Sequence, residues 1–208
     1  VLWERWYARY PNLEWFNKWG QTESTPLGAT LWPEDFANHI TSIGRPDFGA
    51  SVAVVDENNC LLDAGKEGEL VIRSPSVMSH YWNQPEKTAQ TLAQGWLHTG
   101  DVGYIDEEGF VYFTDRKKDM IKSGGENVSS QEVEAALLRH PDVAIAAVIG
   151  LPDDYWTEAV TAFVTPKPGK VVAPEVLRSF CREHLASYKV PKAVHMIAEM
   201  PLTATGKI

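Results

Sequence analysis

The chain has 208 residues, 28 Asp and Glu against 19 Lys and Arg, and a formal net charge of −9 at pH 7. That length suits one large or two small domains, and 44% apolar residues suffice to bury a core. The acidic balance, with no basic stripe, excludes non-specific nucleic-acid binding, and no apolar run is long enough to be a transmembrane helix.

Residues 1–18 open with a helical pattern, Leu2, Trp3, Trp6 and Tyr7, that Pro11 should stop. Leu13 to Trp19 reads as a short buried strand, and Trp3, Trp6 and Trp15 as core aromatics. Trp19-Gly20-Gln21-Thr22-Glu23-Ser24 is the first stretch with chemical promise. An aromatic can stack on a base, a Thr hydroxyl can bond a phosphate oxygen, and a Glu can hold magnesium. Read alone, the stretch is equally a strand end with a polar turn.

Short strands and turns follow. Ser51 to Val55 is a strand, Asp56 to Asn59 a turn, and Glu67 to Arg73 a turn and strand. Pro85 to Leu92 is a short helix with Pro in its first turn. Strands near Val102 and Phe110 flank the turn Asp106-Glu107-Glu108-Gly109, completing a small β-barrel-like unit, with Asp101 in a polar loop. Asp115-Arg116-Lys117-Lys118-Asp119 then interrupts the apolar pattern with five charges, as a hinge between two units would. Beyond it lie a glycine turn and a helix starting near Gln131, capped by Ser129 or Ser130. Val133, Leu137 and Leu138 form one helical face, and Val176, Leu177, Phe180 and Leu185 another. Val143 to Ile149, Ala159 to Val164 and Ala193 to Ile197 are strands. This second part is a compact α+β unit of about 90 residues, the size of a small domain.

Cys60 and Cys181 stand alone without metal-ligand spacing, which predicts buried thiols in a reducing, cytoplasmic compartment. The chain opens on Val1 and closes on Gly206-Lys207-Ile208, so it reads as an internal piece of a longer protein.

Four motifs stand in one order: Trp19-Gly20-Gln21-Thr22-Glu23, Gly95-Trp96-Leu97-His98-Thr99-Gly100-Asp101, Asp115 to Asn127, and Pro201-Leu202-Thr203-Ala204-Thr205-Gly206-Lys207. Together they resemble the adenylate-forming superfamily, most of all its acyl-CoA synthetase branch. The resemblance implies an α+β fold. Residues 1–116 would end a large AMP-binding domain with its β-barrel subdomain, and 117–208 would be the C-terminal lid. It implies an acid–thiol ligase in two steps: a carboxylic acid attacks ATP to give an acyl-adenylate, and coenzyme A then displaces AMP. ATP, Mg2+ and coenzyme A are the implied cofactors. A carrier-protein thiol as acceptor and a non-catalytic nucleotide-binding fragment are the alternatives. The family's glycine- and hydroxyl-rich phosphate loop does not stand in this sequence, so the chain by itself should be inactive.

The same resemblance implies the roles. Trp19, where the family usually carries tyrosine, stacks on adenine beside Gly20; Thr22 bonds the α-phosphate and Glu23 binds magnesium. Asp101 accepts the ribose hydroxyls and Arg116 contacts the ribose or phosphates. Lys118 is the lid's pivot, and Lys122 beyond it swings inward for the thiol step. Gly124 and Gly125 line the pantetheine path, Trp156 packs on pantetheine, and Tyr188 and Lys192 meet the nucleotide of coenzyme A. Lys207 bridges carboxylate and α-phosphate in the adenylation step. A surface lysine or core aromatic is the plain alternative for the last group of contacts.

Overall fold

The computed structural model describes residue 6 and residues 8–204; Leu2, Trp3, Tyr7 and Lys207, named above, lie outside the described residues. The chain divides into two compact units, 1–113 and 114–208. Both mix strands and helices.

The first unit holds two antiparallel sheets. Strands β1 (Asn17–Trp19), β2 (Ala29–Leu31) and β3 (Arg45–Pro46) pair in that order. Asp47 locks them: its carboxylate accepts from the Gly28 amide at 2.7 Å, the Thr30 hydroxyl at 2.6 Å and the Lys18 ammonium at 2.5 Å. The second sheet runs β4 (Ser51–Val55), β5 (Gly68–Arg73), β7 (Trp96–Ile105), β6 (Leu92–Ala93), with β8 (Val111–Arg116) also on β7. Helix α1 (Pro85–Thr91) begins on its proline, as expected of a residue without an amide hydrogen. Ala29, Val54, Leu70 and Val111 are the core between the sheets, and Trp19 packs against them half-buried.

The second unit is a five-stranded sheet with two helices. Its strands are β9 (Ile121–Ser123), β10 (Glu126–Val128), β11 (Val143–Asp153), β12 (Thr157–Pro166) and β13 (Ala193–Met196), ordered β10-β9-β12-β11 with β13 parallel to β12. Helices α2 (Ser130–Leu138) and α3 (Pro174–His184) contribute Val133, Leu137, Leu177 and Cys181 to one core with Val148, Val160 and Ala162. No described helix is long and apolar enough to cross a membrane.

Several expectations need correction. Asp101 is not in a loop: it lies inside β7 and is 2% exposed. The strand expected over 13–19 begins only at Asn17, and Leu13, Phe16 and Trp6 are exposed. Leu138 and Val176 face solvent too, so each helix buries a narrower stripe than its apolar content suggests. Cys60 is exposed, in the turn closed by Asp56; only Cys181 is buried, and burial pushes its thiol up to about 11. Exposed apolar side chains are common on folded surfaces, because there is too little polar surface to cover one.

Candidate functional site

Some of the predicted residues gather into two clusters, one in each unit: Trp19 meets Asp101 in the first, and Gly124, Trp156 and Lys192 meet in the second. The first is organised by a bulge in β7. Glu69 of β5 faces Val102, and Val71 faces His98, so Leu70 alone stands opposite Thr99, Gly100 and Asp101. The two extra residues interrupt the ladder to β5 but leave the in–out alternation of β7 intact, with Leu97, Thr99, Asp101 and Gly103 on its buried side. Gly100 takes φ +71, a left-handed value natural to glycine. Thr99 ties the bulge: its hydroxyl donates to the Leu70 carbonyl at 2.6 Å and accepts the Asp101 amide at 3.0 Å.

Asp101 thereby meets the end of β1. The Trp19 indole Nε1–H donates to Asp101 Oδ2 at 2.8 Å across 82 residues of sequence. Trp19 itself lies against Gly28, where a Cβ would come within 2.8 Å of the ring. Gly20 is held as closely: a Cβ there would come within 2.1 Å of the Pro26 carbonyl oxygen. Gln21 donates from Nε2 to the Thr99 carbonyl at 2.6 Å and starts a short 3-10 helix, Thr22–Ser24, on which Thr22 is exposed. Glu23 is half-buried on that helix, and Tyr81 Oη donates to its Oε1 at 2.7 Å. Burial first, and then the Glu23 carboxylate, raise the Tyr81 phenol above its ordinary value.

Among the described residues no three His, Cys, Asp or Glu converge on a metal position. A lone oriented carboxylate such as Glu23 still fits magnesium, which is commonly held by one or two carboxylates together with substrate phosphates and water.

The second cluster surrounds the glycine turn. β9 and β10 form a hairpin joined by Gly124 and Gly125, at φ +63 and +85. The Gly124 amide donates to the Trp156 carbonyl at 2.8 Å, and a Cβ on Gly124 would come within 2.9 Å of the indole. Trp156 is set by its own amide bonding Asp153 Oδ1 at 2.8 Å. Lys192 Nζ lies 4.1 Å over the Trp156 ring, and burial, followed by the nearby Arg178, lowers its ammonium below the usual lysine range. Gly124, Trp156 and Lys192 are thus brought together. Tyr188 pairs with Lys189, whose Nζ is 5.6 Å from its ring and 2.5 Å from Glu132. Gly125 is exposed on the turn, and Lys122, also exposed, is fixed by its amide bonding Glu158 Oε2 at 2.7 Å.

The charged joint is more ordered than its composition suggests. Asp115 is fully buried and caps α2: Oδ2 accepts from the Ser130 amide at 2.6 Å, the Ser130 hydroxyl at 2.9 Å and the Ser129 hydroxyl at 3.1 Å. Ser129 is the N-cap and accepts the Glu132 amide. Arg116 is exposed and its carbonyl accepts the amides of Asp119 at 2.9 Å and Met120 at 3.0 Å, closing a turn that leaves Lys118 81% exposed.

Gln21, Glu69 and Tyr81 were not foreseen as part of the first cluster, nor Asp115 as the anchor of α2. Gln21 stood inside a quoted motif. Glu69 and Tyr81 carry no local signal, since their partners are distant in sequence.

Comparison with known proteins gives these clusters a context. The AMP-binding enzyme model matches residues 1–82, and the AMP-binding enzyme C-terminal domain model matches residues 132–207. A 2-succinylbenzoate–CoA ligase of Geobacillus kaustophilus is 43% identical over 199 residues, covering 93% of this chain and 39% of its own length. Another, from Bacillus cereus strain Q1, is 41% identical over 93% of this chain and 40% of its own length. Among solved structures, the o-succinylbenzoate CoA synthetase of Bacillus subtilis, in complex with its acyl-adenylate, matches with a TM-score of 0.88 and 35% identity, over 97% of this chain and 41% of that one. The amide bond synthetase McbA of Marinactinospora thermotolerans matches with a TM-score of 0.81 and 42% identity, over 92% of this chain and 39% of that one. The chain therefore spans about two fifths of the length of the relatives it matches. With both halves of the sequence matched in order and the whole fold shared, the chain belongs to the AMP-binding, adenylate-forming enzymes.

Proposed function

We propose that this chain is part of an ATP-dependent acyl-CoA synthetase, which activates a carboxylic acid as its acyl-adenylate and passes the acyl group to coenzyme A. The observation that carries the reading is the Trp19–Asp101 hydrogen bond, which joins two motifs of the nucleotide site from opposite ends of the first unit. An indole presenting a π face to adenine and a carboxylate accepting the ribose diol are complementary to one nucleoside. Thr22, exposed one turn away, offers its hydroxyl to the α-phosphate. Glu23, held by Tyr81, would bind magnesium, which neutralises charge on the phosphate oxygens.

The same reading gives the second unit the lid's roles, with the domain boundary at 116/117 and Lys118 as pivot. Arg116 contacts the ribose or phosphates, and Lys207 brings an ammonium to the reacting carboxylate and α-phosphate. In the thiol step Gly124 and Gly125 pass the thin pantetheine arm, Trp156 packs on it, Lys122 swings inward, and Tyr188 and Lys192 meet the nucleotide of coenzyme A. The likeness to McbA favours one second reading, an amine rather than a thiol as acyl acceptor.

The test is acid-dependent exchange of pyrophosphate into ATP by the whole protein, over a panel of carboxylic acids headed by 2-succinylbenzoate, followed by product analysis with coenzyme A or an amine. Exchange with one acid and thioester formation are expected, with exchange lost on Lys207→Ala. No exchange with any acid would overturn the adenylation reading; amide instead of thioester would overturn the acceptor.

A further inference from the structure

We propose that Glu69 is a positioning residue for nucleotide recognition: its buried carboxylate holds the β7 bulge in the one shape that aims Asp101 at the ribose. The inference rests on the reading of Asp101 as the ribose acceptor, and adds to it a residue that touches no substrate.

Asp101 is the last of the three residues standing opposite Leu70, where the ladder between β7 and β5 is interrupted. A bulge leaves amides without ladder partners, and a buried amide without a partner costs about 1–3 kcal/mol, so such a turn persists only if something else takes those hydrogens. Glu69 does so from the neighbouring strand. It is 8% exposed, and its Oε1 accepts the Gly100 amide at 3.1 Å. Its Oε2 lies 3.3 Å from His98 Nδ1, on the residue that starts the bulge. One carboxylate thus grips the bulge at two points, immediately before Asp101. The Thr99 hydroxyl and the Gln21 amide grip the same few residues from the other side, at 2.6 Å each. A carboxylate buried to this degree is a costly choice for a role that packing alone could serve. The apolar positions of the same strand, Leu70, Val71 and Ile72, are all fully buried and supply that packing.

If Glu69 acts through Asp101, its loss weakens interactions with the ribose hydroxyls and not with the base or phosphates. The whole protein is therefore assayed with ATP and with 2′,3′-dideoxy-ATP, and the ratio of kcat/KM values is compared across variants. The wild type should prefer ATP by at least about tenfold, the worth of a charge-assisted hydrogen bond to a hydroxyl. Asp101→Asn and Glu69→Ala should each bring the ratio to within about threefold of unity. Glu69→Gln, which keeps an acceptor for the Gly100 amide, should recover most of it. Gly100→Ala distorts the bulge independently: there is open space for the methyl group, so only the backbone at φ +71 is strained. It should lower the ratio too, and it serves where Glu69→Ala does not fold. A general loss of structure would depress both nucleotides alike and leave the ratio unchanged. If Asp101→Asn loses the ratio while Glu69→Ala or Gly100→Ala keeps it, the positioning role is overturned. If Asp101→Asn also keeps it, the ribose reading fails and this inference with it.

Discussion

The two clusters use the same residue types by opposite means. Around Asp101, shape follows from hydrogen bonds: a carboxylate, a hydroxyl, an amide and an indole N–H each satisfy a named partner in a buried bulge. Around Gly124, shape follows from steric fit: a turn, an indole and an ammonium stacked on one another near the surface. Even glycine differs. Gly100 is needed for its backbone, with open space where a Cβ would go; Gly124 is needed for its backbone and because Trp156 occupies that space. A polar network fixes direction and discriminates one hydroxyl from none. A packed turn fixes clearance, which suits the passage of a thin chain.

The sharpest test of that contrast compares neighbouring glycines. Gly124→Ala must push the Trp156 ring from a Cβ contact of 2.9 Å, besides straining a backbone at φ +63. Overpacking and left-handed strain together should cost about 2–4 kcal/mol. Gly125→Ala meets nothing within 4 Å and should cost only the strain, about 1–2 kcal/mol. Urea unfolding of both variants measures the gap. Equal losses would show that the turn, and not the indole, sets the constraint.

Next in size is the hydrogen bond at the heart of the first cluster. Trp19→Phe keeps an aromatic face and removes the donor to Asp101 Oδ2, a residue 2% exposed. A buried acceptor deprived of its donor costs about 1–3 kcal/mol. Unfolding should report that loss, and AMP affinity measured by calorimetry should fall with it. An unchanged stability would mean that the indole contributes packing alone. In the second cluster the matching removal, Lys192→Met, deletes a cation over the Trp156 ring and should cost only about 0.5–1 kcal/mol, because the stack is partly open to water.

The same division governs what could be read from the sequence. Local patterns were legible wherever the cause was local. Ser51–Val55 is a strand, a short run rich in valine, α1 starts at Pro85, and Ser129 caps α2 because its hydroxyl reaches an amide three residues on. The setting of Asp101 was not legible. Thr99 and Asp101 put polar residues at buried positions of β7, so His98-Thr99-Gly100-Asp101 reads as a loop, and the carboxylate that accepts the Gly100 amide is about thirty residues away. Asp115 looked like one charge among five in a hinge, yet it is buried as the anchor of α2, a role visible only once Ser129 and Ser130 are placed beside it. Trp156 and Gly124 were each singled out through family likeness, but their contact was not foreseen, since nothing in their spacing announces it.

The smallest effect tests whether the second unit's buried carboxylates are as well served as those of the first. Glu134 on α2 is half-buried, with its Oε1 accepting the Val148 amide at 2.9 Å. Burial raises its carboxyl above the ordinary 4.5; the Val148 amide opposes this, and the Asp115 and Asp119 charges add to it. The folded state therefore binds more protons than the unfolded state in the window starting near pH 4.5 and extending through the raised folded value. Stability from this group is present below that window and is lost as pH rises through it. Glu134→Gln keeps an acceptor for Val148 and cannot ionise, so it lacks that loss. The urea midpoint of Glu134→Gln relative to wild type should then rise from pH 4.5 to pH 7, with no change in the denaturant slope. A difference that stays flat, or that turns against the variant as pH rises, would mean that the Val148 amide compensates the Glu134 charge as fully as the Trp19 and Gly100 donors are arranged to compensate Asp101 and Glu69.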